Sequence, residues 1–237
     1  SGEGLRDIDR LGPINYKGTL SIWGEPLDVF YMFRSNYANK YKEPMVYIAS
    51  HTWPNRWTTP GIKNGIRIYS NCDEIELFNG VRKNSLGKQK RGGIGTHFKF
   101  DSVDIQTNVL FAVGYVDGKE VASDVINMYH LPTDPDISVL SGEVKPLQKE
   151  NDQIKTVYRV NCGGGDYVDR QGNLWMADVQ KQGKNTWGSK SWTDDYEGLP
   201  AFYGSQRQSY DPINGTDEWP LIQTFRYGRH KLCYTFR

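Results

Sequence analysis

The chain has 237 residues, with 29 lysines and arginines against 28 acids and a net charge of +1. That length allows one large or two small domains with a real core, while a near-neutral balance without a long basic run leaves no electrostatic footprint for nucleic acid or an anionic membrane. No apolar run approaches the length of a bilayer span, and no signal-peptide pattern opens the sequence, so the expected periplasmic or extracellular location needs a signal outside these residues.

Fifteen tyrosines, seven tryptophans and 25 glycines suit an all-β protein with many turns. They also suit a sugar binder, because sugar C–H faces pack on aromatic rings whose polar tips still reach water. Cys72, Cys162 and Cys233 lie far apart without C-x-x-C spacing, which argues for free thiols and against a zinc site or disulfide framework. One glycosylation sequon, Asn214-Gly215-Thr216, is a weak signal by itself.

Pro26 to Arg34 predicts a helix, with Pro at a favourable first position and Leu27, Phe30, Tyr31 and Arg34 at i, i+3, i+4 and i+7. Its apolar face is wide for its length and calls for a larger body to dock on. Met45 to Ala49 reads as a strand, and Trp53 to Trp57 as a loop with two indoles. Ile66 to Gly80 alternates twice with period two, predicting two strands that end at Asn79-Gly80, a dipeptide that tolerates positive φ in a tight hairpin. Lys88 to Gly93 reads as a solvated basic loop inside the following hairpin. Val109 to Val116, Asp117-Gly118 and Lys119 to Ala122 predict a further hairpin. Short strands at this spacing point to an immunoglobulin-type β-sandwich. Leu131 to Asp152, with three prolines and no period, reads as a linker or a strap over the sandwich. Thr156 to Asn161 is a strand leading into Cys162-Gly163-Gly164-Gly165; a phosphate cradle is rejected there, because Asp166-Tyr167-Val168-Asp169 follows where a helix and Lys-Ser/Thr are needed.

Two resemblances follow from these motifs. Gly24-Glu25-Pro26-Leu27-Asp28-Val29-Phe30-Tyr31 with Arg34-Ser35 resembles the last barrel helix of family 2 glycoside hydrolases of the β-galactosidase type. Glu43-Pro44, Ser50-His51-Thr52-Trp53-Pro54, Ile68 to Gly80, Ser85-Leu86-Gly87 and the Ala112 to Lys119 hairpin resemble the immunoglobulin-like domain that follows that barrel. Tyr158 to Gly164, Val168-Asp169, Gly172, Trp175, Asp178 and Gln223-Thr224-Phe225-Arg226-Tyr227-Gly228 resemble a malectin-type carbohydrate-binding domain. The resemblance implies a mainly β chain: barrel tail in 1–43, immunoglobulin-like sandwich in 44–130, linker in 131–154, and an incomplete malectin-like (galactose-binding-type) sandwich in 155–237. It implies a carbohydrate partner, the catalytic barrel of the same polypeptide as a second partner, and no cofactor or metal. It also places the sugar-binding tyrosines on Tyr203 and Tyr227.

Retaining glycosidases use two carboxylates about 5 Å apart, and the resemblance places both upstream of Ser1. No catalytic residue is therefore expected in this chain. Glu25 is explained by the helix dipole, Asp7 and Asp9 by turns or caps, and Glu74 with Glu76 by a solvated strand edge. His51, His97, His130 and His230 are isolated in sequence, without a nucleophile motif. Trp53 and Trp57 suit a sugar platform or packing against the barrel equally well. The expected role is accessory, to a glycosidase that hydrolyses terminal O-glycosidic bonds. A stand-alone carbohydrate-binding module is the alternative, and the barrel-like helix at 26–35 opposes it.

Overall fold

The structure, a computed structural model, describes residues 18–20, 24–51, 57–128, 131–144, 155–179, 188–189, 206–208, 211–226 and 234–236. It is mainly β, with several small sheets and few short helices. The chain divides into two compact units: 1–51, 58–126 and 131–134 in the first, 52–57, 127–130 and 135–237 in the second.

The first unit opens with helix α1 (Asp28–Tyr37) and continues through β1 (Val46–Ala49), β2 (Gly61–Lys63), β3 (Ile66–Ser70), β4 (Glu74–Asn79), β5 (Ser85–Lys90), β6 (Phe98–Phe100), β7 (Val103–Ile105), β8 (Val109–Val116) and β9 (Lys119–Asn127). One sheet has the order β1-β3-β6, a second β5-β4-β8-β9, and β2 pairs with β7. The alternation in β3 and β4 behaves as its period demands: Ile66, Ile68, Ile75 and Leu77 are fully buried, with Ile48, Leu110 and Ala112 from neighbouring strands. Where the sheets face each other they come close. A Cβ on Gly114 of β8 would lie 2.6 Å from Cys72 Sγ and 2.7 Å from Val46 Cγ2.

The β8–β9 hairpin turns at Asp117 and Gly118, with φ of +50° and +74°, the positive pair a two-residue hairpin needs. Asn79-Gly80 does something else. The connection to β5 runs on to Asn84, whose carbonyl accepts from Asn79 N at 3.1 Å. The Asn79 side chain turns inward, where Nδ2 donates to Thr107 O (3.0 Å) and Val109 O (2.8 Å) and Oδ1 accepts from Gln106 N (2.7 Å) and Thr107 N (3.0 Å). Gly80, at φ +102°, lets Asp134 close over the same spot. Asn108 N donates to Pro132 O and Thr107 Oγ1 to Asp134 Oδ2, so residues 131–134 strap the first unit.

Two expectations about charge are corrected. Lys88 to Lys90 are not loop residues but the end of β5, in register with Glu74 to Glu76. Glu74 and Glu76 do not mark an edge, because β4 lies between β5 and β8. They stand on the outer face of a central strand, where opposite charges and rings absorb them. Lys88 Nζ is 2.9 Å from Glu74 and 3.8 Å from the Tyr115 ring centre, and Tyr115 OH donates to Glu76. Arg82 pairs with Glu120 and covers the Phe111 ring at 5.1 Å. These long stems shield β8, which is buried on both faces except at Tyr115.

Helix α1 starts two residues later than predicted and runs three residues further. The expected face, Leu27, Phe30, Tyr31 and Arg34, is only half-buried; the buried residue is Ser35. A small residue there lets the helix approach closely, and Ser35 O accepts from Arg91 Nη2 at 2.8 Å. Polar side chains from the β3–β4 connection pin the helix exit. Asn71 Nδ2 donates to Ala38 O and Glu43 O, and its Oδ1 accepts from Met45 N. Asp73 takes Lys40 and Asp117 N, and the Lys40 ammonium holds its carboxyl below the usual range.

The second unit holds α2 (Ser138–Ser141), β10 (Val160–Asn161), β11 (Tyr167–Val168), β12 (Leu174–Ala177), β13 (Gly188–Ser189), β14 (Gln206–Gln208), α3 (Trp219–Ile222), β15 (Thr224–Arg226) and β16 (Tyr234–Thr235). Its pairings are β10-β12-β11, β13-β16 and β14-β15. The strand predicted over 156–161 forms only at Val160–Asn161, which pair with Met176 and Ala177 of β12. Trp219 is the buried anchor, its Nε1 donating to Ile213 O and Thr216 O.

Candidate functional site

Tyr203 and Tyr227, expected to bind sugar, lie outside the described residues, as do Asp7, Asp9, Trp53, His130, His230 and Cys233. Phe202, Gly204 and Gly228 beside them also lie outside the described residues, whereas Tyr158 to Gly164, Asp169, Trp175, Asp178 and Gln223 to Phe225 are described, and several of these hold the backbone of the second unit. Asp169 is buried and accepts from Gln171 N, Asn173 N, Asn173 Nδ2 and Trp175 Nε1. Burial pushes its pKa up, but these donors outweigh that and hold it below the usual carboxylate range. Asp178 accepts from Gly163 N (2.7 Å) and Tyr234 OH (3.0 Å). Asn161 donates to Gly165 O and accepts from Thr224 Oγ1. Gly163, at φ +84°, passes so near Phe225 that a Cβ would sit 2.8 Å from its backbone, which is why glycine stands there. Glu218 accepts from Tyr167 OH (2.6 Å) and Arg170 N (2.9 Å). Burial first, then the Glu218 carboxylate, drive the Tyr167 pKa upward.

In the first unit a titratable cluster joins α1, the end of β1 and β9. His51 Nε2 and Asp124 Oδ2 are 2.8 Å apart, and the same oxygen accepts from Ile48 N at 2.6 Å. Tyr47 OH (2.6 Å) and Ser50 Oγ (3.0 Å) both donate to Asp28 Oδ1. The Tyr47 ring stacks between Tyr31 at 3.8 Å and His51 at 4.5 Å. Burial, followed by the Asp28 carboxylate, raises the Tyr47 pKa far above that of a free phenol. Sequence spacing gave no hint of the His51–Asp124 pair, whose members are 73 positions apart. An acid–histidine pair becomes a relay only with a nucleophile on the histidine; the nearby Ser50 hydroxyl donates to Asp28 Oδ1 at 3.0 Å. The arrangement clamps the first turn of α1 to the sheets.

Six carboxylates among the described residues of the first unit, Asp28, Asp73, Glu74, Glu76, Glu120 and Asp124, are engaged in the same structural way, each holding a donor. Glu25 is exposed ahead of the helix, and Trp57 is half-buried. Cys72 is buried and free, with its thiol pushed up by burial, whereas Cys162 is free and exposed. Among the described residues, no group of three or more His, Cys, Asp or Glu side chains is placed to hold a metal ion.

Residues 61–122 match a family described as a domain of unknown function, DUF4982. Over 130 residues the chain is 35% identical to a protein of Formosa agariphila named "Putative beta-glucuronidase"; the match takes in 52% of this chain and 15% of that protein. Bacteroides uniformis beta-glucuronidase 3 is 34% identical over 48% of this chain and 14% of its own, with a TM-score of 0.38. Parabacteroides merdae beta-glucuronidase is 24% identical over 90% of this chain and 20% of its own, with a TM-score of 0.41. At these TM-scores the structural likenesses add no argument. The chain thus spans about 15% of the length of the curated relative it matches. Part of it is similar to part of that relative.

Proposed function

We propose that the chain is a non-catalytic accessory region of a family 2 glycosidase. In this reading α1 ends the catalytic barrel, residues 44–130 form an immunoglobulin-like sandwich, and 155–237 form part of a malectin-like domain. Its work is to brace the barrel and to present a weak glycan site through Tyr203 and Tyr227. A tethered weak site raises the local substrate concentration without new chemistry. The observation that carries the reading is the 130-residue match at 35% identity. The engagement of Asp28, Asp73, Glu74, Glu76, Glu120 and Asp124 by donors within the first unit supports it. The name of that relative favours a β-glucuronide over the β-galactoside implied by the sequence resemblance as the substrate of the whole enzyme.

The purified chain is expected to hydrolyse neither nitrophenyl β-glucuronide nor nitrophenyl β-galactoside; clear turnover that disappears in Glu25→Gln overturns the accessory role. The longer polypeptide is expected to cleave the glucuronide faster, and a preference for the galactoside reverses the substrate assignment. Calorimetry with gluco- and galacto-disaccharides should give millimolar binding, weakened about tenfold by Tyr227→Ala. No heat at millimolar sugar removes the glycan role.

A further inference from the structure

The outer face of the β1-β3-β6 sheet carries two rows of side chains, of which Tyr47 is buried under α1 while Tyr69, His97, Arg67 and Lys99 reach the surface. Cross-strand register pairs Tyr47 with Tyr69 and Ala49 with Arg67 between β1 and β3. Between β3 and β6 it pairs Arg67 with Lys99, and one step before β6 it brings His97 beside Tyr69, ring to ring at 6.0 Å and 84°. One row is therefore aromatic, Tyr47-Tyr69-His97, and the next is cationic, Arg67-Lys99, starting at the small Ala49. Neighbouring strands are about 4.8 Å apart, and residues two apart on a strand are separated by about 7 Å.

The cationic row is costly as it stands. Like charges directly opposite on a sheet repel, and Arg67 and Lys99 are exposed and opposed. Asp101 relieves one of them, pairing with Lys99 at 2.8 Å and accepting from Gly65 N. Arg67 has no ion pair or side-chain hydrogen bond among the described residues. The neighbouring His97 feels the same field: burial, then Arg67 and Lys99, lower its pKa, so its ring stays neutral and stackable near pH 7.

We propose that this face binds the carboxylate of an acidic sugar, a uronic acid residue in a glycan. Arg67 receives the carboxylate with its planar fork, and Lys99 adds a second positive charge. Tyr69 and His97 pack against the sugar ring one row away. A polynucleotide fits less well, because two cations on a chain of net charge +1 make no track for a phosphate backbone. The choice of a sugar over other carboxylates rests on the glycosidase reading; capture of a carboxylate at Arg67 does not.

The test is an amide-shift NMR titration of the full chain with trigalacturonate, galactotriose, acetate and a short single-stranded DNA. Trigalacturonate should move Arg67, Tyr69, His97 and Lys99 with a Kd of about 1 mM, and neutral galactotriose should bind at least about tenfold more weakly. Arg67→Ala and Lys99→Ala should each weaken trigalacturonate binding severalfold, Arg67→Lys should recover part of it, and Tyr69→Ala should weaken the sugar but not acetate. Unchanged affinity in Arg67→Ala, or no shifts at about 10 mM ligand, overturns the proposal. Equal binding of acetate and trigalacturonate, unaffected by Tyr69→Ala, overturns the sugar assignment. Tighter binding of the DNA assigns the face to nucleic acid instead.

Discussion

Replacing Asn79 by alanine is expected to lower the unfolding free energy of the first unit by about 3 to 4 kcal/mol. The side chain is 2% exposed and bonds four backbone groups, the Gln106 and Thr107 amides and the Thr107 and Val109 carbonyls, of which Val109 O also accepts from Gly80 N and would keep that partner. Each buried backbone group left without a partner costs about 1–3 kcal/mol, and relaxation or entry of water recovers part of the sum. Asn79→Asp is the informative companion. It keeps both acceptor bonds but sets a carboxylate against two carbonyls, so near neutral pH it should also destabilise. Urea unfolding with amide exchange read on β4 and β8 distinguishes the outcomes. A loss below about 1 kcal/mol in the alanine variant would mean that the side chain is not the clamp described.

Gly114→Val carries the second large effect, and its sign is the diagnostic part. On an ordinary strand, glycine to valine is favourable, by up to about 1 kcal/mol on the strand-propensity scale. At Gly114 the first added carbon already meets Cys72 Sγ at 2.6 Å and Val46 Cγ2 at 2.7 Å, and Cys72 is fully buried. Overpacking of this kind costs about 1–3 kcal/mol, so net destabilisation near the upper end is expected. Val46→Ala in the same chain should return a large part of the loss, which a double-mutant cycle measures as coupling. A stabilising Gly114→Val, or no coupling to position 46, would show that the sheets do not meet at this point.

Much of the strand pattern was legible because period-two alternation and a positive-φ dipeptide are local signals. Ile66 to Ser70, Glu74 to Asn79 and the turn at Asp117-Gly118 stand where the pattern puts them. β5 was not legible, since Ser-Leu-Gly-Lys-Gln-Lys has little strand character. It pairs because Glu74 and Tyr115 wait on neighbouring strands for Lys88. Helix α1 was found, but not its contact: periodicity marks the apolar stripe, while Ser35, Asp28 and Asn71 set the seat through hydrogen bonds that no hydropathy pattern records. The dipeptide Asn79-Gly80 was read as a turn, yet its asparagine acts at long range on the β7–β8 connection.

The candidate sites were less legible still, for a topological reason. His51 meets Asp124, and Arg67 meets Lys99, only because strands distant in sequence become neighbours. β3 pairs with β1 and β6 while β4 and β5 go to the other sheet. A motif search samples neighbours in sequence, and these groups are neighbours only across ladders. In the second unit Asp169, Asn161 and Gly163, residues of the malectin-type resemblance, fasten turns and strands. Such residues recur in a sequence pattern because the backbone needs them, whether or not a ligand does.

The three bonds from Asn71 also decide where this polypeptide can be cut. A chain started at Pro44, between α1 and β1, would discard Ala38 and Glu43 and leave the Asn71 amide without both of its acceptors. It would strip Tyr47 of both Tyr31 and Asp28 as well. Anyone excising these sheets for crystallography or for fusion to another protein should therefore carry the helix along, and keep Asp28 to Glu43 with them.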